Sequence, residues 1–178
     1  DALHPMGANL LLLDGALPSW VMAICNLVVG PIAAYNLTLA VGVVANYWAA
    51  RALAREVSPR RDVAVVAGIA FAVLPHLAGS LDAHVTFVWA FTLPLLVREG
   101  IRMGRGTGSA PRLAVLLTAA FACSAYHFLF GAGAMVLIAV AWPASSARRG
   151  RGLATLAAGL AIAVMALSPL IAVRAAPA

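Results

Sequence analysis

Two histidines and an aspartate, His76, Asp82 and His84, fall close together between the apolar runs 63–74 and 85–97. Ionisable side chains are costly to place in apolar surroundings, so their clustering marks a candidate site. Histidines can bind phosphate, ligate a metal or move a proton near neutral pH, and a carboxylate can serve as base. The spacing of these three is not that of a metal centre, and no further ligand follows from sequence. The same residues also suit a plain helix boundary, with Asp82 capping the helix that starts near His84. Further candidates are His127 beside Tyr126, Asp14 in the first polar loop, and Asp1 and His4 near the start.

The elements that must position these residues are apolar. The chain has 178 residues, 63% of them hydrophobic and 10% charged, where a soluble domain is nearer half apolar and a quarter charged. With a mean hydropathy of +0.97, too little polar surface exists to cover a water-soluble globule. An integral membrane protein is expected. The net charge of +6 does not signal nucleic acid, because the basic residues separate apolar segments instead of sharing one polar face. All twelve are arginine, a bias consistent with a GC-rich bacterial genome. Cys25 and Cys123 lie in apolar runs without zinc spacing and read as small buried hydrophobes.

The chain opens at Asp1 without a signal-peptide pattern and reads as a piece of a longer polypeptide that lacks an N-terminal segment. Residues 1–30 form an extracytoplasmic loop with a short juxtamembrane helix, stopped by Gly30-Pro31, that carries Trp20 at headgroup level. Residues 31–178 form the transmembrane domain. Spans are predicted at 32–54, 63–77, 84–102 with a kink at Pro94, and 153–173. Residues 112–142 are too long for one crossing and divide near Ser124 and His127 into two. Asn36 and Asn46 should face other helices, and Gly68 should be a close-packing position. The fold class is therefore all-α, a polytopic bundle of about six spans.

Charge supports this count. Arg51, Arg55, Arg60 and Arg61, then Arg98, Arg102, Arg105 and Arg112, then Arg148, Arg149 and Arg151 all fall in loops of one side, the cytoplasmic one. His4, Asp14, His76, Asp82, His84 and His127 fall on the other.

Several short elements resemble a known family. Pro5-Met6-Gly7-Ala8-Asn9-Leu10 is similar to the P-x-G-x-N-L element in the first outer loop of bacterial multi-spanning glycosyltransferases. Gly30-Pro31 with Tyr35-Asn36 resembles their G-P-x-x-x-Y-N helix start, and Ala67-Gly68, Phe71 and Pro75-His76 their A-G-x-x-F-x-x-x-P-[YH] element. Asp82-Ala83-His84-Val85 resembles the G-H-x-x element without its glycine, and Leu93-Pro94-Leu95-Leu96 the P-L that follows. The order agrees over residues 5–98, about half the chain.

The resemblance implies the C-type glycosyltransferase fold in the bacterial cytoplasmic membrane. It implies transfer of a sugar from a polyprenyl-phosphate donor to a glycan, lipid or protein acceptor on the extracytoplasmic face. An acidic residue of the first outer loop then acts as base, here Asp14, Asp1 or a residue upstream, with Asp82 a further candidate. His4, His76, His84 and His127 would bind the phosphate. Gly131, Gly133 and Gly159 would leave room for the polyprenyl tail. No metal motif is carried over, and a divalent metal is left open. A transporter or flippase and a non-catalytic assembly subunit are the alternatives. The first would show ionisable residues at mid-span and inverted repeats, and neither is present.

Overall fold

The computed structural model describes residues 15–74, 85–141 and 146–175. Every regular element among them is helical: α1 Ala16–Val29, α2 Pro31–Val57, α3 Arg61–Ala72, the single turn α4 Val85–Val88, α5 Thr92–Gly104, α6 Ala110–Cys123, α7 Ala125–Ala141 and α8 Ser146–Ala175. The all-α class holds for these residues. Two stretches, α2 and Gly150–Ser168 within α8, are long and apolar enough to cross a membrane. Helices α1 and α6 and much of α7 are apolar but shorter.

Helices α1 and α2 form an antiparallel hairpin about Gly30. Its φ of 80° lies in the region that favours glycine, and Pro31 occupies the first helical turn, where no amide donor is needed. Leu17 and Val21 of α1 and Leu39 and Val43 of α2 pack on the same cluster of Val88, Trp89 and Cys123. The short helix that precedes Gly30 is folded back along α2, with Trp20 exposed.

One stripe of α2 is buried: Ala34, Thr38, Gly42, Asn46, Ala50 and Ala54 recur every fourth residue. Small side chains at this spacing let a neighbouring backbone approach closely. A Cβ on Gly42 would sit 2.7 Å from the Trp89 ring. Asn46 lies on the stripe and is fully buried. Asn36 is exposed, contrary to expectation, because two positions from Ala34 or Thr38 is the far side of a helix turn.

The predicted span 84–102 is not one helix. It breaks at residues 89–91, between α4 and α5, and Pro94 falls in the first turn of α5. A proline inside a continuous helix would clash with the carbonyl four residues back, here that of Ala90. The break removes this clash and opens the backbone around Val88. Asn46 Nδ2 donates to the Val88 carbonyl at 2.7 Å, and Trp89 Nε1 donates to the Thr38 carbonyl at 3.1 Å. These two bonds pin the broken segment to α2.

Successive segments run up and down. Gly68 of α3 meets Tyr47 of α2 so closely that a Cβ would lie 2.7 Å from its ring, so α3 returns along α2. Helix α5 runs parallel to α2, with contacts that pass from Trp89 at Thr38 to Arg98 at Glu56. Helix α6 returns along α5, and the carboxylate of Glu99 in α5 accepts from the Ser109 amide at the start of α6 at 2.7 Å and from Arg112 at 3.3 Å. Ser124, extended and fully buried, ends α6 and begins α7. Its hydroxyl accepts from the Tyr126 amide at 3.3 Å as a helix cap. Phe121 and Phe128 meet edge to face across this turn, with centroids 5.8 Å apart. The division of residues 112–142 near Ser124 is thus present.

Helix α7 follows α5: a Cβ on Gly100 would meet Ile138 at 3.0 Å and Met135 at 3.1 Å. Helix α8 follows α6, where Gly159 meets Leu113. Gly131 is filled by Leu96 and Gly159 by Leu113. These two glycines serve helix packing, and the space expected beside them is occupied by leucine. Gly133 faces open space.

Candidate functional site

Of the residues singled out by chemistry, His127 lies within the described structure. Asp1, His4, Asp14, His76, Asp82 and His84 lie outside the described residues. His127 sits in the first turn of α7, 5% exposed. Its ring meets Phe87 edge to face, with centroids 6.4 Å apart. Phe87 also lies 6.2 Å from the ring of Tyr126, which is half exposed.

A cavity of about 210 Å³ opens here, lined by Phe71, Leu74, Phe87, Ala90, Leu93, Tyr126, His127 and Phe130. Its wall is apolar apart from the imidazole and the phenol. Leu74 is the last described residue before the segment that holds His76, Asp82 and His84, and Val85 is the first after it. Val85 also packs on the Val88, Trp89 and Cys123 cluster, as does Leu17, close after Asp14 in the chain. The described flanks of both polar segments therefore share one end of the bundle with the Ser124 turn and His127. Among the described residues, no three His, Cys, Asp or Glu side chains gather as a metal site.

The opposite end carries the arginines. Arg98, Arg102 and Arg105 surround Glu56, and Arg112 pairs with Glu99. Arg151 lines a hollow with Met103, Gly106 and Gly108, which brings the last two arginine-bearing loops together. Arg51 stacks over the Trp48 ring at 4.7 Å. The pairs differ in weight. Arg60 and Asp62 are both exposed, and water and salt screen such a pair so that it contributes little. Glu99 is 2% exposed, so loss of its partners would strand a buried carboxylate.

A second hollow of about 450 Å³ runs along α2, α3 and α5, lined in part by Ala50, Ala54, Val57, Phe71, Leu93 and Val97. Phe71 and Leu93 border both hollows. Phe71, Phe87 and Tyr126 were not singled out as site residues by sequence. The available signal was their nearness to His76, His84 and His127.

No known protein family, curated protein or solved structure matches the chain.

Proposed function

We propose that the chain is a polytopic membrane glycosyltransferase that moves a sugar from a polyprenyl-phosphate donor to an acceptor outside the bacterial cytoplasmic membrane. In this reading α2, α3, α4 with α5, α6, α7 and α8 make six crossings. Helices short of about 20 residues span less than the ~30 Å hydrocarbon core. Broken backbone is tolerated at that depth where protein groups satisfy it, as Asn46 does for Val88.

The observation that carries the reading is the separation of the two ends. Arginines gather beside Glu56 and Glu99, and His127 lies at the other end with the flanks of both polar segments. Excess arginine favours the cytoplasmic side, which leaves His127 outside, where a lipid-linked sugar would be used.

The chemistry then divides among the candidates. A carboxylate, Asp14, Asp82 or Asp1, accepts the proton of the acceptor hydroxyl as its oxygen bonds to the anomeric carbon. The bond from that carbon to the donor phosphate breaks, and polyprenyl phosphate leaves. Positive charge or N–H donors stabilise the departing phosphate, a role suited to His4, His76, His84 and His127. The apolar wall of Phe71, Leu93 and Phe130 offers a bed for the first isoprene units.

The test is transfer from a panel of radiolabelled polyprenyl-phosphate sugars by membranes that hold wild type, Asp14→Asn, Asp82→Asn or His84→Ala at matched expression. Transfer that collapses in one carboxylate variant identifies the base. Absence of transfer from every donor would sink the enzyme reading in favour of transport or assembly.

A further inference from the structure

The arginine end holds an arrangement that sugar transfer does not use. Glu56 Oε2 accepts from Arg98 Nε at 3.0 Å and from Arg102 Nε at 2.9 Å. Arg105 Nη1 reaches Glu56 Oε1 at 3.3 Å and its backbone carbonyl at 2.8 Å. One carboxylate therefore faces three guanidiniums, which leaves a surplus of two positive charges among the described residues of this cluster. Arg98 and Arg102 stand one turn apart on one face of α5. Each spends its Nε on Glu56, and among the described residues no protein acceptor takes their terminal Nη groups. Their side chains are 30% and 25% exposed, so solvent or a ligand reaches them. Guanidinium forks held in this way suit a phosphate.

The 450 Å³ apolar hollow lies along the same two helices, α2 and α5. Val57 and Val97, the chain neighbours of Glu56 and Arg98, line it together with Leu53, Ala54 and Pro94. A cluster with surplus positive charge, on the helices that line an apolar groove, is complementary to one amphiphile, a lipid with an anionic head. We propose that Arg98 and Arg102, positioned by Glu56, bind the headgroup phosphate of an anionic phospholipid whose acyl chain lies between α2, α3 and α5. This rests on the membrane reading with the arginine end cytoplasmic, and it is independent of sugar transfer.

The experiment uses the full chain purified in detergent, with its melting temperature followed against added lipid, since a ligand of the folded state raises it. Phosphatidylglycerol should raise it, whereas phosphatidylcholine of the same chains and inorganic phosphate should not at equal concentration. The double variant Arg98→Gln/Arg102→Gln should need roughly 30-fold more phosphatidylglycerol for the same shift. Glu56→Gln keeps an acceptor oxygen for the two Nε groups and removes only the negative charge that competes with the phosphate, so it should need less, a direction that a purely structural role for the cluster does not give. Equal responses to the two lipids, or Glu56→Gln that needs more phosphatidylglycerol, would overturn the proposal. A response to inorganic phosphate as large as that to phosphatidylglycerol would reassign the site to free phosphate and overturn it as well. Detergent-phase partition separates the two levels. Recovery of the chain in the aqueous phase would overturn the membrane reading together with this proposal, whereas a detergent-phase chain without lipid preference overturns this proposal alone.

Discussion

The Asn46 side chain donates to the Val88 carbonyl at 2.7 Å, across 42 residues of sequence, where the helical path ahead of Pro94 comes apart. A buried carbonyl freed by a helix break needs a donor, and the four-residue stripe of α2 delivers one. The proline, the break and the asparagine form one device that fixes α4 and α5 against α2. Their position matters because Phe87 and Leu93 form part of the wall around His127.

Asn46→Leu should therefore destabilise the protein by about 1–2 kcal/mol, the worth of a buried interhelical hydrogen bond plus part of the cost of the carbonyl left behind. Denaturant unfolding in mixed micelles reads this directly. Asn36→Leu, on the exposed face, should change stability by less than about 0.5 kcal/mol. Equal effects at the two sites would show that the Val88 bond does not hold the break.

Gly68 and Gly133 make a second pair. A Cβ on Gly68 would lie 2.7 Å from the Tyr47 ring and 2.9 Å from its backbone oxygen, whereas nothing lies within 4 Å at Gly133. Gly68→Val should cost about 1–3 kcal/mol by overpacking, and backbone cannot move aside as a flexible side chain can. Gly133→Ala should be neutral or slightly stabilising, because alanine favours the helix by up to about 1 kcal/mol. The same unfolding assay would refute the packing account if Gly133→Ala proved the more harmful.

Sidedness has its own check. In a background with Cys25 and Cys123 replaced by alanine, single cysteines at Tyr126 and Thr107 place one probe at each end, both at exposed positions. A membrane-impermeant maleimide applied to intact cells should label the Tyr126→Cys protein, and the Thr107→Cys protein only after permeabilisation. Labelling of both from outside would contradict the orientation.

Much of this organisation was legible because charge is scarce. The arginine-bearing loops had to share a side, which forced residues 112–142 to turn back near Ser124, and the structure turns there. The break at residues 89–91 was not legible. Pro94 suggested a kink, but the choice of break point depends on Asn46 and Trp89 reaching between distant segments, which no local pattern records. Glycines were equally mute: Gly131, packed against Leu96, and Gly133, facing open space, look alike in an apolar run. In the sequence Glu56 and Glu99 simply stand among the arginines that end two apolar runs. Their roles as anchors for arginines and for the Ser109 amide appear only when α2, α5 and α6 are brought together. At the His127 end, the imidazole and its apolar surroundings are in place, and the remaining candidates lie outside the described residues.

The central claim is that sugar transfer takes place at the His127 end. It is tested most directly by transfer from radiolabelled polyprenyl-phosphate sugars in membranes that contain wild type, His127→Ala, or Arg60→Gln at the opposite end, at matched expression. The account predicts transfer by wild type, a loss of at least about tenfold in His127→Ala, and wild-type transfer in Arg60→Gln. Transfer that is equal in all three, or absent from wild type with every donor, would contradict it.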